Sequence, residues 1–333
     1  MGVSAESPVG GTIVTPARRR RSGRTGTALT WLAVTPFAAW AVTRLAGLER
    51  GAIPTQIMTA TPYAAAGSLI PLMIAALGRR RAAAAVALLT STMLGFSVLP
   101  RTLGVAEATE GRPFRVLTVN LLFGRADARA VMDLVRELRP DVLNTQELTP
   151  GAVDELDSAG LKELMPHRVL MAEWNASGSG IFSRHPMEPL PDALPELEGH
   201  NMPVARLALP GGAPVEFYDV HPVPPIGRHA GAWQTALEAL PGTSDGPVRI
   251  LAGDFNASLD HTPMRRLLAR GYKDAADQVG AGLIPTWPAN RRIPPIITID
   301  HVLVDGRAGV KAVSVHDVPG TDHRAVFAEL SVP

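Results

Sequence analysis

The 333-residue sequence contains no cysteine. Disulfides, thiolate metal sites and cysteine nucleophiles are therefore excluded, while every redox compartment stays open. Aromatic residues make up only 5%, so a core must come mainly from aliphatic side chains. Lysine is almost missing, with only Lys162, Lys273 and Lys311 present. Charge of one sign is also unevenly placed. Residues 1–112 carry 12 Arg and Lys against 4 Asp and Glu, whereas residues 113–333 carry 20 against 27. The overall +1 thus hides +8 in one part and −7 in the other, and the two are read separately.

What the first part has is long apolar runs. The basic stretch ARRRRSGR (residues 17–24) precedes a run over about 27–48, and a second run covers about 53–77. GRRR (residues 78–81) then leads into a third run over about 82–99. Each run is long enough to cross a ~30 Å hydrocarbon core as a helix. A cleaved signal peptide has one short apolar core, so the pattern predicts three transmembrane helices within 27–100. Arg44 is expected to snorkel to the interface, and Pro54, Pro62 and Pro71 to kink the second run. The positive-inside rule puts residues 1–26 and the loop at Arg79–Arg81 in the cytoplasm. The chain then emerges on the outer face through a polar linker over 101–113, and residues 114–333 form one extracytoplasmic domain.

In that domain apolar strands alternate with amphipathic helices. FRVLTVNLL (114–122) reads as a strand buried on both faces. ARAVMDLVREL (128–138) has apolar residues at helical spacing and is stopped by Pro140. Further strands are expected at 141–148, 168–172, 180–183, 204–209, 215–220, 248–252, 297–304 and 324–330, with helices at 232–240 and 263–269. Many strands and few helices predict an α+β sandwich of two packed sheets with helices outside.

Polar residues gather where these strands end: Asn120, Glu147, His221, Asp254, Asn256, Asp300, Asp322 and His323. Taken singly each has a bland explanation. An Asn can be a bonded core amide, a His can sit in a turn, and Asp254 and Asn256 can close a turn, as Asx side chains do. Taken in order they read N, then QE, H, GDFN, DH and a terminal DH. That series resembles the endonuclease/exonuclease/phosphatase superfamily, with its DNase I-like four-layer α/β/β/α sandwich, over residues 114–333. GDFN and the terminal Asp-His pair are the specific portion.

The resemblance implies a hydrolase of phosphoric esters or anhydrides that uses Mg²⁺ or Mn²⁺. It implies Glu147 as the main metal ligand with Asn120 beside it and Asp322 near the metal. Asp254 would orient and help deprotonate the attacking water, and Asn256 would hold it or a phosphoryl oxygen. His323, oriented by Asp300, and His221 would meet phosphoryl oxygens, while His301 has no assured role. Three crossings followed by such a domain are also similar to actinobacterial membrane proteins associated with teicoplanin resistance, the VanJ type. That likeness implies the membrane as partner and a lipid-linked phosphate or pyrophosphate, such as undecaprenyl pyrophosphate, as substrate. Arg184 and Arg228, and also Arg206, are candidates for extra phosphate contacts; Trp174 and Trp287 are candidates for the cavity entrance. Nucleic acid is disfavoured by the −7 charge. An extracytoplasmic nuclease and a non-catalytic phosphate-binding sensor stand as alternatives.

Overall fold

The computed structural model describes residues 19–106, 111–210, 212, 214–289 and 293–333, with side chains from residue 24 onward. Residues 1–18 of the expected basic N-terminus and residues 107–110 of the expected linker lie outside the described residues.

The first apolar run is one helix, α1 (Arg19–Ala46). The second is broken into α2 (Ala52–Met58), α3 (Thr61–Gly67) and α4 (Leu69–Leu77), and the third is α5 (Arg81–Val98). Between α2 and the stretch Thr61–Leu77 the axis bends by 64°. Pro62 sits in the first turn of α3, where its missing N–H is tolerated. The hydroxyls of Thr59 and Thr61 donate to the carbonyls of Gln56 and Met58, both at 2.7 Å. Those carbonyls lie in the last turn of α2, where helical partners run out. Among the described residues, Arg24–Ala46 and Arg81–Thr102 are long and apolar enough to cross a membrane, and the bent pair makes a third only if it counts as one span.

Helices α1 and α5 pack side by side and point the same way. At one end Arg80 donates to the Thr30 hydroxyl at 2.8 Å. At the other, Arg44 reaches the Ser97 hydroxyl at 2.7 Å. Arg44 does not snorkel. Its Nε lies 2.6 Å from Asp260 in the sandwich, and Arg101 grips the same carboxylate at 2.9 and 2.7 Å. Asp260 is 0% exposed, so a buried carboxylate claims the guanidinium that the interface was expected to hold.

The remaining chain runs β1 (Arg112–Asn120), α6 (Ala128–Leu138), β2 (Val142–Gln146), α7 (Pro150–Ser158), α8 (Leu161–Leu164), β3 (His167–Met171), β4 (Ser179–Ser183) and β5 (Met187–Pro189). It continues with β6 (Val204–Leu207), β7 (Val215–Val220), α9 (Ala230–Ala239), β8 (Val248–Asp254), α10 (Thr262–Leu268), β9 (Tyr272–Asp274) and α11 (Ala275–Gln278). The last strands are β10 (Asp300–Asp305), β11 (Gly309–Asp317) and β12 (Arg324–Val332). They form two six-stranded sheets in the orders β11-β12-β1-β2-β4-β3 and β5-β6-β7-β8-β10-β9. Each sheet has one parallel pair, β1–β2 and β7–β8, joined by a crossover helix as parallel strands require.

Alternation along the strands makes the layers. Phe114, Val116, Phe217, Ile250, Val302 and Leu330 meet between the sheets. Leu117, Val119 and Leu143 face outward under α6 and α7, and Tyr218, Leu251 and Leu303 face outward under α9 and α10. Each fully buried large apolar side chain stabilises this arrangement by about 1.5–3 kcal/mol. The architecture is the expected α/β/β/α sandwich of the DNase I-like type. Strand β11 was not expected; Lys311, Ser314 and His316 break its apolar pattern, and it lies at a sheet edge with one face partly exposed.

Candidate functional site

The alternation that builds the core also builds the site. Asn120, Asp254 and His221 share the inward parity of Val116, Ile250 and Phe217, one or two steps further along β1, β8 and β7. Asp300 opens β10 opposite Asp254, and His323 immediately precedes β12. The inner faces of both sheets therefore turn from apolar to polar at one edge. Asn120, His221, Asp254, Asp300 and His323 are all at most 5% exposed.

Two turns aim the remaining groups. Glu147 follows β2 with φ 54°, and Asn256 follows β8 with φ 48°. A left-handed conformation costs a non-glycine residue about 1–2 kcal/mol, Asn less, and here it points polar side chains at the edge. Gly253 has φ 144°, and a Cβ there would lie 2.1 Å from the Val220 carbonyl oxygen. Only glycine lets β8 run that close to β7 immediately before Asp254.

The contacts form one network. Asn120 Nδ2 donates to Asp254 Oδ2 at 3.1 Å and to Glu147 Oε1 at 3.2 Å. Phe123 N–H donates to Glu147 Oε2 at 2.8 Å, and Asn256 N–H donates to Asp254 Oδ1 at 2.8 Å. His323 Nδ1 donates to Asp300 at 3.0 Å, leaving Nε2 3.7 Å from Asp254 and 4.0 Å from Asp322. His221 Nε2 lies 3.9 Å from Asp254 Oδ2. Trp287 Nε1 donates to Asp322 at 3.2 Å.

Burial pushes Asp254 up to about 7, against the nearby His323 imidazolium and with the help of Asp300. Burial alone would lower His323, but Asp300 and Asp254 overcome it and push it up to about 10. The surrounding carboxylates thus favour the charged form of His323. Burial raises Glu147 despite its hydrogen bonds from Phe123 and Asn120, and burial holds His221 well below its usual value.

Asp254, Asp300 and His323 offer ligand atoms within 4.8 Å of one another. That trio is a poor metal cage, because an imidazolium held by Asp300 has no free lone pair for a cation. Glu147 and Asp322 fit better. Both face the same cavity of about 640 Å³, which has no Lys or Arg in its lining among the described residues, and Asp322 adds to the rise of Glu147. Hard oxygen donors of this kind suit Mg²⁺ or Mn²⁺.

The structure brings together Asn120, Glu147, His221, Asp254, Asn256, Asp300, Asp322 and His323. It does not bring Arg184 to them. Arg184 follows β4 beside Pro140, whose carbonyl it bonds, at the opposite end of β2 from Glu147. Arg206 is turned outward onto Glu216 at 3.0 Å. Arg228 is exposed, two residues beyond the rim residue Ile226, and outside the cavity lining. Trp287 lines the cavity, whereas Trp174 is 78% exposed and does not. His301 points through the other face of the sheet, to Asp274 at 2.8 Å and the Ala257 carbonyl at 2.9 Å.

Four contributors escaped the sequence reading. His200 lines the cavity with its ring 4.2 Å from that of His221. Asp219 shares the inward parity of His221 and accepts from Asn144, Gln146 and the Gly180 N–H beneath the site, at 3.0, 2.6 and 3.1 Å. A charged residue in register with Val215 and Phe217 was the available signal. Gln56 and Thr59 of the helical part also line the cavity, and nothing in their apolar run marks them.

Residues 117–323 match the Endonuclease/Exonuclease/phosphatase family. The chain belongs to that family. Its members are metal-dependent hydrolases, so the chain is read as an enzyme of that kind. Among solved structures it is similar to a humanized D. rerio TDP2 carrying 14 mutations, with 15% identity and TM-score 0.53, covering 66% of this chain and 99% of that one. It is also similar to the 3′ phosphatase NExo from Neisseria bound to a product DNA hairpin, with 21% identity, TM-score 0.50 and coverage of 66% and 99%. A family protein from Bacteroides thetaiotaomicron gives 16% identity, TM-score 0.50 and coverage of 68% and 100%. These likenesses establish the fold. No curated protein matches the chain.

Proposed function

We propose that the chain is a membrane-anchored, outward-facing, divalent-metal phosphohydrolase acting on a lipid-linked phosphate or pyrophosphate of the cell envelope. Undecaprenyl pyrophosphate is the type of substrate meant, and a contribution to teicoplanin resistance is the physiological role the VanJ-type resemblance suggests. The observation that carries this reading is the cavity itself. Its floor is acidic and imidazole-bearing, its walls include Ile226, Ile296, Ile297 and Pro225, and no Lys or Arg lines it among the described residues. A nuclease holds successive phosphates with Lys and Arg. A single headgroup attached to a hydrocarbon chain needs neither.

The helical part supports the orientation. Arg79–Arg81 and the Thr30 end of α1 lie together, and the Arg44 and Arg101 ends lie together against the sandwich. With the arginine block inside, the sandwich falls outside.

Bound at Glu147, a dication supplies Lewis acidity to the phosphoryl oxygen and charge for the transition state. The protein's own groups do the rest. Asp254, made more basic than an ordinary carboxylate by its burial, takes a proton from the attacking water as general base. Asn120 and the Asn256 N–H hold the Asp254 carboxylate in place. His323 presents Nε2 as an imidazolium donor to a phosphoryl oxygen, its ring fixed by Asp300. His221, neutral, faces the same carboxylate and contacts a second oxygen. The water oxygen forms the new P–O bond as the ester or anhydride P–O bond breaks.

The test is phosphate release by the full-length protein from undecaprenyl pyrophosphate and from duplex DNA, each with and without Mg²⁺ and across salt. Mg²⁺-dependent release from the lipid, with KM changing only about several-fold between roughly 50 and 200 mM salt, is expected. DNA cleavage with a steep salt dependence and no turnover of the lipid would replace this reading with the nuclease. Saturable lipid binding without turnover would replace it with the sensor.

A further inference from the structure

The cavity is not made by the sandwich alone. Gln56 and Thr59, at the end of α2 where the helical part bends, stand in its wall opposite the floor of Glu147, Asp254 and His323. Gln56 Nε2 donates to the Pro225 carbonyl at 3.2 Å, and Tyr63 O–H donates to the Ile296 carbonyl at 2.6 Å. Both acceptors belong to loops that line the cavity. The bend therefore bridges the two loops whose apolar residues form the rim.

Buried polar contacts fix the bend there. His261 Nε2 lies 2.8 Å from the Thr55 carbonyl in α2. Thr262 N–H donates to Glu49, just before α2. Arg44 and Arg101 close on Asp260, which is 0% exposed. Buried ion pairs are poor sources of net stability but specific ones, since breaking either half leaves a charge stranded. A tether needed only to hold the enzyme near a bilayer would not require them.

Apolar residues are exposed both at the rim and on the helical part. Ile226 and Ile296 are 58% and 42% exposed at the cavity edge. Ile57 and Ile53 on α2, at 47% and 72%, and Ile70 and Met73 along the bent pair, both at 59%, are exposed apolar residues of the adjoining helical segment. Exposed apolar side chains on a segment apolar enough to enter a membrane belong against lipid or a lipid-like ligand.

We propose that the bend between α2 and α3 is the chain-binding wall of the active site: the hydrocarbon tail of the substrate lies between Gln56 and Thr59 on one side and Ile226, Ile296 and Ile297 on the other, entering from the side of the helical part. This rests on the lipid-phosphate reading of the site and gives it a specificity element. The helical part then selects substrates as well as anchoring the enzyme, by giving affinity to a phosphate that carries a chain.

The test is binding rather than turnover. Dodecyl phosphate and ethyl phosphate are titrated calorimetrically, with Mg²⁺ present, into the full-length protein in nanodiscs. The ratio of their Kd values is compared among the parent, Thr59→Trp and Gln56→Trp. Every sample contains the same bilayer, so partitioning of the long chain into lipid cancels in that comparison. An indole at either position fills the slot, and the preference for dodecyl phosphate should fall about 10-fold, the loss of a few buried methylenes. A ratio unchanged in both variants would overturn the proposal, as would a parent that shows no chain preference beyond partitioning. A retained chain preference in a protein that fails to hydrolyse any lipid phosphate would instead overturn the hydrolase reading and leave the wall standing.

Discussion

Two of the acidic centres buried in this molecule are balanced in opposite ways. Asp260 is enclosed by Arg44 and Arg101, at 2.6 and 2.7 Å, and its charge is answered within the protein. At the cavity floor, the His323 imidazole lies among Asp254, Asp300 and Asp322, and no Lys or Arg lines the cavity among the described residues. Burying a carboxylate without compensation is expensive. The first centre cancels itself and joins two parts of the chain. The second gathers carboxylates in that cavity, which suits a divalent cation.

Removing Asp254 should separate the two centres most widely. Asp254→Ala should lower phosphate release by about 10³-fold or more, while thermal unfolding shows a midpoint no lower than the parent's. A large fall in the midpoint would mean that the floor is a structural network like the one at Asp260. The converse substitution, Asp260→Asn, strands two buried guanidiniums and should cost about 3–5 kcal/mol of stability, read from denaturation of the full-length protein in detergent. Stability within about 0.5 kcal/mol of the parent would show that the triad contributes nothing. Glu147→Gln keeps the shape and removes charge, so activity should fall about 10²-fold and recover partly at high Mg²⁺.

The smallest effect concerns pH. Burial holds His200 down at about 4, with His229 adding to the shift. Its folded value lies below its unfolded one, so its contribution to stability is fully present above about 6.5 and is lost as pH falls through about 4. After allowing for solvent screening of a partly exposed ring, His200→Asn should remove about 1–2 kcal/mol of the acid-side loss. Parallel stability profiles for parent and variant between these pH values would place that loss elsewhere.

The sandwich was legible because its strands obey a period of two and its helices a period of 3.6, and packing follows those periods directly. The floor was legible for a related reason: Asn120, Asp254 and His221 continue the inward parity of their strands past the point where apolar residues stop. The two Asp-His pairs show the limit of a motif. In the first pair, parity sends Asp300 inward and His301 outward to Asp274, so one residue serves the site and its neighbour serves the core. Arg184 failed as a phosphate contact because its strand ends at the wrong edge of the sheet, which depends on pairing and not on local composition. The Arg44–Asp260 contact spans 216 residues and joins a helix to a sandwich. No local pattern carries such a contact, nor does one carry the place of Gln56 and Thr59 in the cavity wall.

The most direct measurement is calorimetric titration of Mg²⁺ into the parent protein, Glu147→Gln and Asp300→Asn. The account predicts a divalent site in the parent that is lost or weakened at least about 10-fold in Glu147→Gln and retained in Asp300→Asn, where only the partner of His323 has changed. Full Mg²⁺ binding by Glu147→Gln, with loss in Asp300→Asn, would contradict it and move the metal to the trio of Asp254, Asp300 and His323.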